Sequence, residues 1–369
     1  MSDASEIAGE SRLGAAAPHK QSPKKILIVR LGAMGDIVHA LPAVVALKSA
    51  FPNAQIGWVV ERRWSDLLAH GALVDRLHEV DTRRWRRNLW GTRHETRAAI
   101  RELRKERYDF AVDFQGAMKS AVLALLSGAP TRFGFAHPWE KAASLFYTHT
   151  IETKSRHVVE QDLELAEAVI QRKGRNSDDD LLVTVFHGDS ELQRWLDRKI
   201  LELRLHNRFA ILNPGAGWGA KQWPIDRFAE VARVLGAEGI RSLVNFGPGE
   251  EELARYVEQN SGGHAVAASF SISQLMAITQ RAALFIGGDT GPLHLAAFLN
   301  VPVVAIFGPT DPARTGPYGT RSIVFRDPAS VTSHKRRKEA EAGLLNITAA
   351  EVIAAARELL QINSSGVRA

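Results

Sequence analysis

Short apolar runs alternate along this chain with longer segments in which apolar residues recur at helical spacing. The short runs are rich in Ile, Leu and Val and stop at glycine or at a charged residue, which is typical of buried strands. In the first half, strands are predicted at residues 25–30, 55–60, 77–80 and 110–113. A helix capped by Asp36, with Pro42 in its first turn, is predicted to run to about residue 50, and another occupies 95–107.

The same alternation begins again after residue 208. Strands are predicted at residues 208–213, 242–246, 283–286 and 301–307, and helices at 226–238, from 250 onward and at 348–360. Strands that alternate with helices of this length form a parallel sheet with helices on both faces. The pattern therefore predicts an α/β protein of two doubly wound, Rossmann-like domains in tandem, facing a cleft.

Polar segments divide the chain into four parts. Residues 1–22 are small, polar and rich in alanine, which is typical of a disordered tail. A charged run at 171–180 predicts a boundary between an N-terminal domain at 23–180 and a C-terminal domain at 181–345. Residues 346–369 are predicted to form a closing helix and tail that pack back on the N-terminal domain.

Glycine turns follow the predicted strands in both domains. Ligands of doubly wound sheets bind outside the carboxyl ends of the strands, so two facing domains would line one cleft with such turns. The first turn is Gly32-Ala-Met-Gly-Asp36, which departs from the Gly-x-Gly-x-x-Gly of dinucleotide-binding folds and makes a nicotinamide enzyme a weak alternative. For Asp36 two interpretations stay open: a helix cap or a general base that takes a proton from a hydroxyl.

The turns of the second domain predict a diphosphate site. Segment 214–224 has glycines whose amides can bind phosphate, followed by Lys221 to neutralise it. Gly288-Asp-Thr-Gly-Pro-Leu-His294 opens a helix whose N-terminal amides favour an anion. For the glutamates at 250–252 two interpretations stay open: one of them holds ribose hydroxyls, or all three complement the dipole at a helix N-terminus. Since no histidines or carboxylates have metal-ligand spacing, we expect Lys221, amides and a helix end to stabilise the diphosphate without a metal.

Charge and composition narrow the class of partner. The 369 residues carry a net charge of +6 and no cysteine, which excludes disulfides and a cysteine nucleophile. No segment approaches the roughly 20 apolar residues that span a bilayer, so the sequence predicts a soluble protein. Four arginines around Trp85 predict a site for an anionic ligand, whereas the basic residues at 93–107 alternate with glutamates like a solvated helix face. A nucleic-acid partner is not expected, because no aromatic platform or groove helix accompanies the arginines.

Four motifs together resemble a known family. They are Met-Gly-Asp-Ile-Val-His-Ala-Leu-Pro around Asp36, Lys-Gln-Trp-Pro from Lys221, the turn at 288–294, and Phe-Gly-Pro-Thr-Asp at 307–311. The combination resembles the bacterial ADP-heptose:lipopolysaccharide heptosyltransferases of glycosyltransferase family 9, over about residues 24–360. Segments 83–87, 113–119 and 143–147 further resemble the heptosyltransferase I branch, which adds the first heptose to Kdo on lipid A.

The resemblance implies a GT-B fold, an inverting transfer from ADP-heptose to Kdo-lipid A, Asp36 as catalytic base, and no cofactor. The donor-binding residues it implies are Ala216, Gly217, Lys221, Glu251, Phe270, Asp289, Thr290, Gly291 and His294. The acceptor-binding residues it implies are Arg83, Arg84, Arg86, Arg87, Lys119 and Lys141. Related enzymes often carry threonines where this chain has Ala216 and Gly217, and methionine where it has Phe270, so these three contacts differ from the family pattern.

The same resemblance implies a monomer in the cytoplasm, bound peripherally to the anionic inner face of the inner membrane. Two alternatives stay open. Heptosyltransferase II, or another nucleotide-sugar transferase of the same fold, shares every donor-side motif, and only segment 83–147 argues against it. A non-catalytic protein that binds anionic surfaces would explain the basic runs but would leave the cleft motifs without a use.

Overall fold

The computed structural model describes residues 22–69, 71–88, 90–171, 190–205, 208–333, 335–337 and 339–365, with the side chains of 362–365 excepted. Within these ranges the chain forms two parallel sheets of six strands each. The first sheet consists of β1 Lys25–Val29, β2 Gln55–Glu61, β3 Arg76–Val80, β4 Phe110–Asp113, β5 Thr131–Phe135 and β6 His149–Ile151. The second consists of β7 Phe209–Asn213, β8 Arg241–Asn245, β9 Ala265–Ala268, β10 Leu284–Gly288, β11 Val303–Phe307 and β12 Ser322–Arg326.

Both sheets have the same topology. The spatial orders are β3-β2-β1-β4-β5-β6 and β12-β11-β10-β7-β8-β9, so the first strand of each sheet lies at its centre, beside the fourth. In register, Ile28 of β1 lies between Trp58 and Val112, and Ile211 of β7 lies between Leu243 and Phe285. The order of strands reverses at β1/β4 and at β7/β10, and the carboxyl ends of these strands are where such sheets bind ligands.

Helices cover both faces of each sheet. The N-terminal half has α1 Met34–Ala50, α2 Asp66–Ala69, α3 Thr82–Arg87, α4 Arg93–Lys105, α5 Met118–Leu126 and α6 Val158–Ile170. The C-terminal half has α7 Ser190–Glu202, α8 Ile225–Ala237, α9 Glu251–Asn260, α10 Ile272–Gln280, α11 Gly291–Phe298, α12 Pro312–Thr315, α13 Ala342–Asn346 and α14 Ala349–Ser365. None of the described helices is both long and apolar enough to cross a bilayer.

Strand alternation gives the first sheet two different faces. Ile26 and Ile28 point into a core shared with α1 and α6, and this core continues into the second domain through residues such as Leu293 of α11. Leu27 and Val29 point to the opposite face, where they pack with residues of α4 and α5, and Trp85 of α3 lies against that cluster. The first face therefore joins the two domains, and the second carries α3, α4 and α5 away from the junction.

The predicted strands are all present, with ends that move by at most two residues, but β5, β6, β9 and β12 were not predicted. Helix α1 begins earlier than predicted. It starts at Met34, with Ala33 as the N-cap residue, so Asp36 is its third residue. Pro42 lies inside the helix and not in its first turn. The prediction was wrong because burial of the α1 face, from Met34 to Leu47, outweighs the one backbone hydrogen bond that an internal proline removes.

The expected packing of the C-terminal helix on the N-terminal domain was also wrong. Helix α14 lies on the second sheet, where Val352, Ala356 and Leu359 join the core cluster of α8 and β11. Arg208 donates a hydrogen bond to the carbonyl of Leu360 at 2.8 Å. The apolar face of α14 completes the second core. The predicted boundary near residue 180 lies outside the described residues, as does all of the predicted tail at 1–22 except its last residue.

Candidate active site

Asp36 stands at the carboxyl end of β1, in the first turn of α1. Its Oδ2 accepts the backbone N–H of Ala33 at 2.7 Å, and its Oδ1 lies 3.3 Å from Nη2 of Arg30. The side chain is 48% exposed, so it contacts protein on one side and solvent on the other. The N-cap interpretation of Asp36 was wrong, because Ala33 occupies that position, but Asp36 still accepts the N–H of the N-cap residue from inside the helix. The same geometry leaves its carboxylate accessible to a substrate hydroxyl.

Arg30 connects the turn after β1 with the turn after β4. It is only 9% exposed, and besides pairing with Asp36 it donates Nε–H to the carbonyl of the same residue at 3.1 Å. Its Nη1 donates to the carbonyl of Phe114, at the end of β4. Next to it, the N–H of Leu31 donates to Oε1 of Gln115 at 2.8 Å. The backbone around Asp36 is therefore fixed from β4 as well as from its own strand.

The segments 113–119 and 143–147, which the sequence singled out, meet at one buried carboxyl. Asp113 accepts hydrogen bonds from the hydroxyls of Ser120 and Tyr147, both at 2.8 Å, and from the N–H of Gln115 at 2.8 Å. Complete burial raises the pKa of Asp113, and these hydrogen bonds oppose that rise. This cluster fixes the loop that carries Lys119 relative to the turn that carries Lys141.

In the second domain, the carboxylate of Asp289 lies between Lys221 and His294. Its Oδ2 is 2.6 Å from Nζ of Lys221, which also donates to the Asp289 carbonyl at 3.1 Å, and its Oδ1 is 2.9 Å from Nε2 of His294. Burial alone would raise the pKa of Asp289, but His294 and Lys221 outweigh burial and hold that pKa below its usual range. Asp289 is therefore an anion throughout the physiological pH range, and it orients Lys221 at the end of β10.

The two glycine turns touch each other across the domain junction. A Cβ atom placed on Gly35 would lie 2.7 Å from Cδ2 of His294, and one on Gly291 would lie 2.8 Å from the side chain of Met34. Both approaches are closer than a side chain allows, so helix α1 meets the start of α11 only because these positions are glycine. The contact brings the turn of Asp36 against the turn of Asp289.

The predicted phosphate loop follows β7 and wraps around Lys221. Ala216 is half-buried and Gly217 is exposed, with open space where a side chain of Gly217 would be. Nζ of Lys221 lies 4.6 Å from the ring centre of Trp218, and the guanidinium of Arg336 lies 5.5 Å from the same ring. Arg336 belongs to a run of four basic residues at 335–338, whose last residue, Lys338, is outside the described residues. Cationic groups thus gather around this loop.

The remaining residues predicted to bind the donor follow neighbouring strands of the second sheet. Thr290 and Gly291 form the start of α11, and the Thr290 hydroxyl donates to the carbonyl of Gly288 at 3.2 Å. Glu251 begins α9, where its carboxylate accepts the N–H of Gly249 at 3.2 Å. Its neighbour Glu250 lies closer to the loop, because its carboxylate accepts the N–H of Gly247 at 2.9 Å and leaves no room for a side chain at Gly215. Phe270, after β9, packs edge-on against Trp195 with ring centres 6.0 Å apart.

The predicted acceptor residues are all exposed, and all belong to the first domain. Arg83, Arg84, Arg86 and Arg87 form α3, which Asp81 caps by accepting the N–H of Arg84 at 2.9 Å. Arg84 also pairs with Glu95 of α4 at 3.3 Å. Lys119 is the second residue of α5 and Lys141 begins a short 3-10 helix, and a hydrogen bond of 2.8 Å from Met118 N–H to Glu140 joins these two segments. All six cationic residues lie on helices that follow strands of the first sheet.

Comparisons with known proteins identify the family. The model of glycosyltransferase family 9 (heptosyltransferase) matches residues 96–345. The chain belongs to this family. Lipopolysaccharide heptosyltransferase 1 of Escherichia coli (strain K12) is 31% identical to this family 9 chain over 317 residues, 82% of this chain and 94% of the relative. The enzyme of the same description from Pseudomonas aeruginosa is 30% identical over 305 residues, 81% and 82% of the two chains.

Solved structures agree with the family 9 assignment. The structure described as E. coli heptosyltransferase WaaC with ADP matches with a TM-score of 0.75 and 28% identity, covering 91% of this chain and 99% of that one. The glycosyltransferase family 9 structure from Veillonella parvula matches with a TM-score of 0.78 and 25% identity, covering 92% and 97%. These findings confirm the predicted enzyme class, a glycosyltransferase of the heptosyltransferase family, and the predicted architecture of two Rossmann-like domains.

Three polar residues of this family 9 enzyme lie next to the site but were given no role from sequence. Arg30, His39 and Asp162 are 9%, 5% and 3% exposed. Arg30 had a usable signal, a charged residue at the carboxyl end of an apolar strand, and His39 lies within the Asp36 motif. Asp162 had none, since it comes to the site through the packing of α6 on α1. In the described ranges no group of three His, Asp or Glu side chains is arranged to hold a metal ion.

Asp162 gives this family 9 enzyme a measurable pH dependence of stability. Its Oδ2 is buried without a hydrogen-bond partner in the described part of the chain. Burial raises the pKa of Asp162 to about 7, Arg30 lowers it, and the carboxylates of Asp36 and Asp113 raise it further. The folded state thus holds a proton that the unfolded chain releases near pH 4, so the free energy of unfolding falls as pH rises from about 4 to 7.

Asp162→Asn removes this loss, because the amide carries no charge. We expect the melting temperature of the variant relative to the parent to rise between pH 5 and pH 8, with a gain on the order of 2–4 kcal/mol in unfolding free energy at pH 8. Thermal melts across this range measure it. Asp289→Asn is the control: His294 and Lys221 hold the pKa of Asp289 below its usual range, so that variant should be destabilised by a constant amount between pH 5 and pH 8. A pH-independent offset for Asp162→Asn would contradict the prediction.

Proposed function

We propose that this enzyme transfers heptose from ADP-heptose to Kdo of Kdo-lipid A, with inversion at the anomeric carbon, in the synthesis of the lipopolysaccharide inner core. The observation that carries the proposal is the contact between the turn of Asp36 and the turn of Asp289, through Gly35 and His294. A base and a cationic leaving-group site then face one reaction centre from two domains. The names of the relatives support heptose as the sugar, and one matching structure is described as WaaC with ADP-2-deoxy-2-fluoro heptose.

The steps of the transfer follow from the groups on the two sides of the cleft. A Kdo hydroxyl oxygen forms the new bond to the anomeric carbon while its proton moves to the carboxylate of Asp36. The bond from the anomeric carbon to the ADP oxygen breaks on the opposite side, and ADP leaves with that electron pair. Lys221, held by Asp289, and the amides at the start of α11 stabilise the charge that develops on the diphosphate. Because the two groups act on opposite faces of the sugar, the configuration inverts.

On the donor side, we propose that the diphosphate is bound by the amides of Ala216 and Gly217, together with Thr290, Gly291 and Lys221. The open space at Gly217 supports a close approach of phosphate to the backbone there. The ribose hydroxyls are bound by Glu251 or by its neighbour Glu250, which lies nearer the loop. The adenine falls to Phe270, whose ring is half-buried beside Trp195.

The decisive assay is ADP release from purified protein with defined donors and acceptors. We expect release with ADP-heptose and Kdo-lipid A together, and far slower release when either is left out. UDP- and GDP-sugars serve as donor controls. Release that requires an acceptor already bearing one heptose would place the enzyme with heptosyltransferase II, and no release with any pair would overturn the proposal.

On the acceptor side, the arginines of α3 are proposed to bind the carboxylates and phosphates of Kdo-lipid A. Arg86→Glu with Arg87→Glu should raise the KM for the acceptor at least about tenfold, because two attractions become repulsions, and should change the KM for the donor less than twofold. The control is Arg97→Glu with Arg101→Glu on α4, which makes the same charge change on an exposed helix face. Equal effects of the two double variants would show a dependence on net charge alone.

Peripheral binding to an anionic membrane is the remaining part of the proposal, with the enzyme acting in the cytoplasm as a monomer. Its support is a set of apolar side chains among the basic residues: Trp90, Trp139 and Leu145 are 83%, 71% and 82% exposed. Aromatic and basic side chains together favour the interface of an anionic bilayer. Both halves of the site come from one chain, which supports a monomer, and sedimentation equilibrium would test that.

Trp139→Ala with Leu145→Ala should reduce co-sedimentation with phosphatidylglycerol vesicles several-fold, since the inserted apolar area is lost. Phosphatidylcholine vesicles should bind little of either protein, because they carry no net charge. Leu201→Ala on α7 removes an equally exposed leucine, 77% accessible, and should leave vesicle binding unchanged. Parent-like binding of the Trp139/Leu145 variant would contradict this membrane surface.

A further inference from the structure

Three imidazole rings meet where α1, α6 and α11 converge, between the base and the donor site. His39 lies one turn after Asp36 on α1, and its ring centre is 4.3 Å from that of His294, with an angle of 61° between the planes. The ring of His157, at the start of α6, lies 6.2 Å from His39. His39 and His294 are each 5% exposed. The mechanism above uses His294 through Asp289 but gives His39 no part.

Two of these three rings have nitrogens without a hydrogen-bond partner among the described residues. Neither nitrogen of His39 has a partner among the described residues, and neither has Nδ1 of His294. By contrast, His157 is satisfied on both sides, with Nε2 3.1 Å from the carbonyl of Gly316 and Nδ1 accepting the N–H of Val159 at 3.3 Å. Buried polar groups without partners are uncommon, so the unsatisfied nitrogens point to a group that the protein atoms do not supply.

A cavity of about 20 Å³, large enough for one water molecule, is lined by both His39 and His294. Its lining residues are Val38, His39, Pro42, Val159, His294, Phe298 and Tyr318. A buried water is stable only with two or more polar partners, and the imidazoles of His39 and His294 both line this space. The hydroxyl of Tyr318 donates to Glu160, and the other lining side chains are apolar, which disfavours a larger polar ligand.

The chemistry of His294 explains why this water would matter. The Asp289 carboxylate is an acceptor only, so Nε2 of His294 donates to it, at 2.9 Å. In the neutral ring Nδ1 is then a buried acceptor that requires a donor. If none is present, the ring loses its preference for this tautomer and this orientation, and Asp289 loses the partner that, with Lys221, keeps it in place.

We propose that His39 is a positioning residue for the donor site: with one water in this cavity, its imidazole supplies the hydrogen bond that fixes His294 on Asp289 and thereby holds Lys221 against the diphosphate. The inference rests on the proposed donor site. It also couples the two walls of the cleft, because Asp36 and His39 lie on consecutive turns of one helix.

The surroundings of His39 keep it neutral, as this role requires. Burial lowers the pKa of His39 well below its ordinary value, and the nearby His294, Arg30 and His157 lower it further. Among the charged groups that face it, Asp289 alone opposes them. A neutral imidazole offers one donor and one acceptor, so it can pass a hydrogen bond to the water, whereas an imidazolium would repel Lys221 and Arg30.

The test measures nucleotide affinity rather than turnover. His39→Phe keeps the ring volume and removes both nitrogens, while His39→Gln keeps a donor and an acceptor. By isothermal titration with ADP we expect His39→Phe to raise the Kd about tenfold and His39→Gln to stay within about threefold of the parent, as the loss of one buried hydrogen bond predicts. The control is His78→Phe, since His78 is buried on β3 and pairs with Tyr108 at 2.7 Å, far from the junction.

A purely structural role for His39 would give a different pattern. His78→Phe should lower the melting temperature and leave the Kd for ADP unchanged, and a structural His39 would do the same. If His39→Phe binds ADP like the parent, or if His39→Gln is as weak as His39→Phe, the positioning role is wrong while the proposed function stands. If the parent itself binds neither ADP nor another nucleoside diphosphate, the donor site fails and the inference with it.

Discussion

Asp36→Asn should lower kcat for heptosyl transfer about 100- to 10,000-fold, which is the range for losing a positioned general base. Asparagine is the informative substitution because its amide oxygen can still accept the N–H of Ala33, which Oδ2 of Asp36 accepts at 2.7 Å. The cap of α1 is then retained while the proton acceptor is lost. Steady-state ADP release with saturating donor and acceptor measures the effect.

Stability and donor binding distinguish the base from a cap in this variant. The pair with Arg30 is half-exposed on the Asp36 side, so its loss should cost no more than about 1 kcal/mol of unfolding free energy. The Kd for ADP should stay near that of the parent, since Asp36 lies on the acceptor wall. Transfer at the parent rate by Asp36→Asn would leave Asp36 with its capping role alone.

Lys221→Met should lower kcat/KM about 100- to 1,000-fold, the usual effect of removing one preorganised group that stabilises a developing anion. It should also destabilise the protein by about 3–5 kcal/mol, because Lys221 and Asp289 are 13% and 8% exposed and the carboxylate would stay buried with only His294. Kinetics with limiting donor and urea unfolding measure the two effects separately.

The double variant Lys221→Met with Asp289→Asn separates stability from catalysis. Removing the buried charge together with its partner should recover much of the lost stability, since a neutral pair needs no compensation. Activity should stay at the level of the single variant, because no cation is restored near the leaving diphosphate. Recovery of activity along with stability would mean that Lys221 acts only by supporting the fold.

The strands that carry the site could be predicted from sequence because their signals are local. β1, β7 and β10 are central strands buried on both faces, so each is a continuous apolar run that stops at a glycine turn. The strands that were missed lie outside the centre of each sheet. In β12, from Ser322 to Arg326, no residue is fully buried, and in β9 only Ala265 is, so their composition gives little contrast with a loop.

The errors at α1 and α14 have a tertiary cause. Pro42 fits the first turn of a helix by local preference, whereas the packing of α1 on α6 and α11 starts the helix at Met34, three residues before the predicted start after Asp36. The apolar face of α14 indicates that the helix packs on a sheet. Which of the two sheets it covers depends on the shape and polarity of the sheet surface. No local signal distinguishes two sheets of the same topology.

Motif residues of the site were predicted, whereas the residues that orient them were not. Asp36, Lys221 and Asp289 follow strands directly, and chain position alone places them at the cleft. Arg30, His39 and Asp162 act through contacts with α6, β4 and the opposite domain, at separations of up to 255 residues for His39 and His294. Such contacts depend on how helices pack, which a single sequence does not specify.

The approach of the two glycine turns has a consequence for variation along the chain. Neither Gly35 nor Gly291 has a positive φ, so local backbone preference would admit alanine at both positions. The neighbours at 2.7 and 2.8 Å are what exclude it, and they belong to the opposite domain. In a saturation library selected for activity, Gly35 should therefore accept no other residue unless His294 changes at the same time. Gly291 should depend in the same way on Met34, so substitutions in one domain should occur together with substitutions in the other.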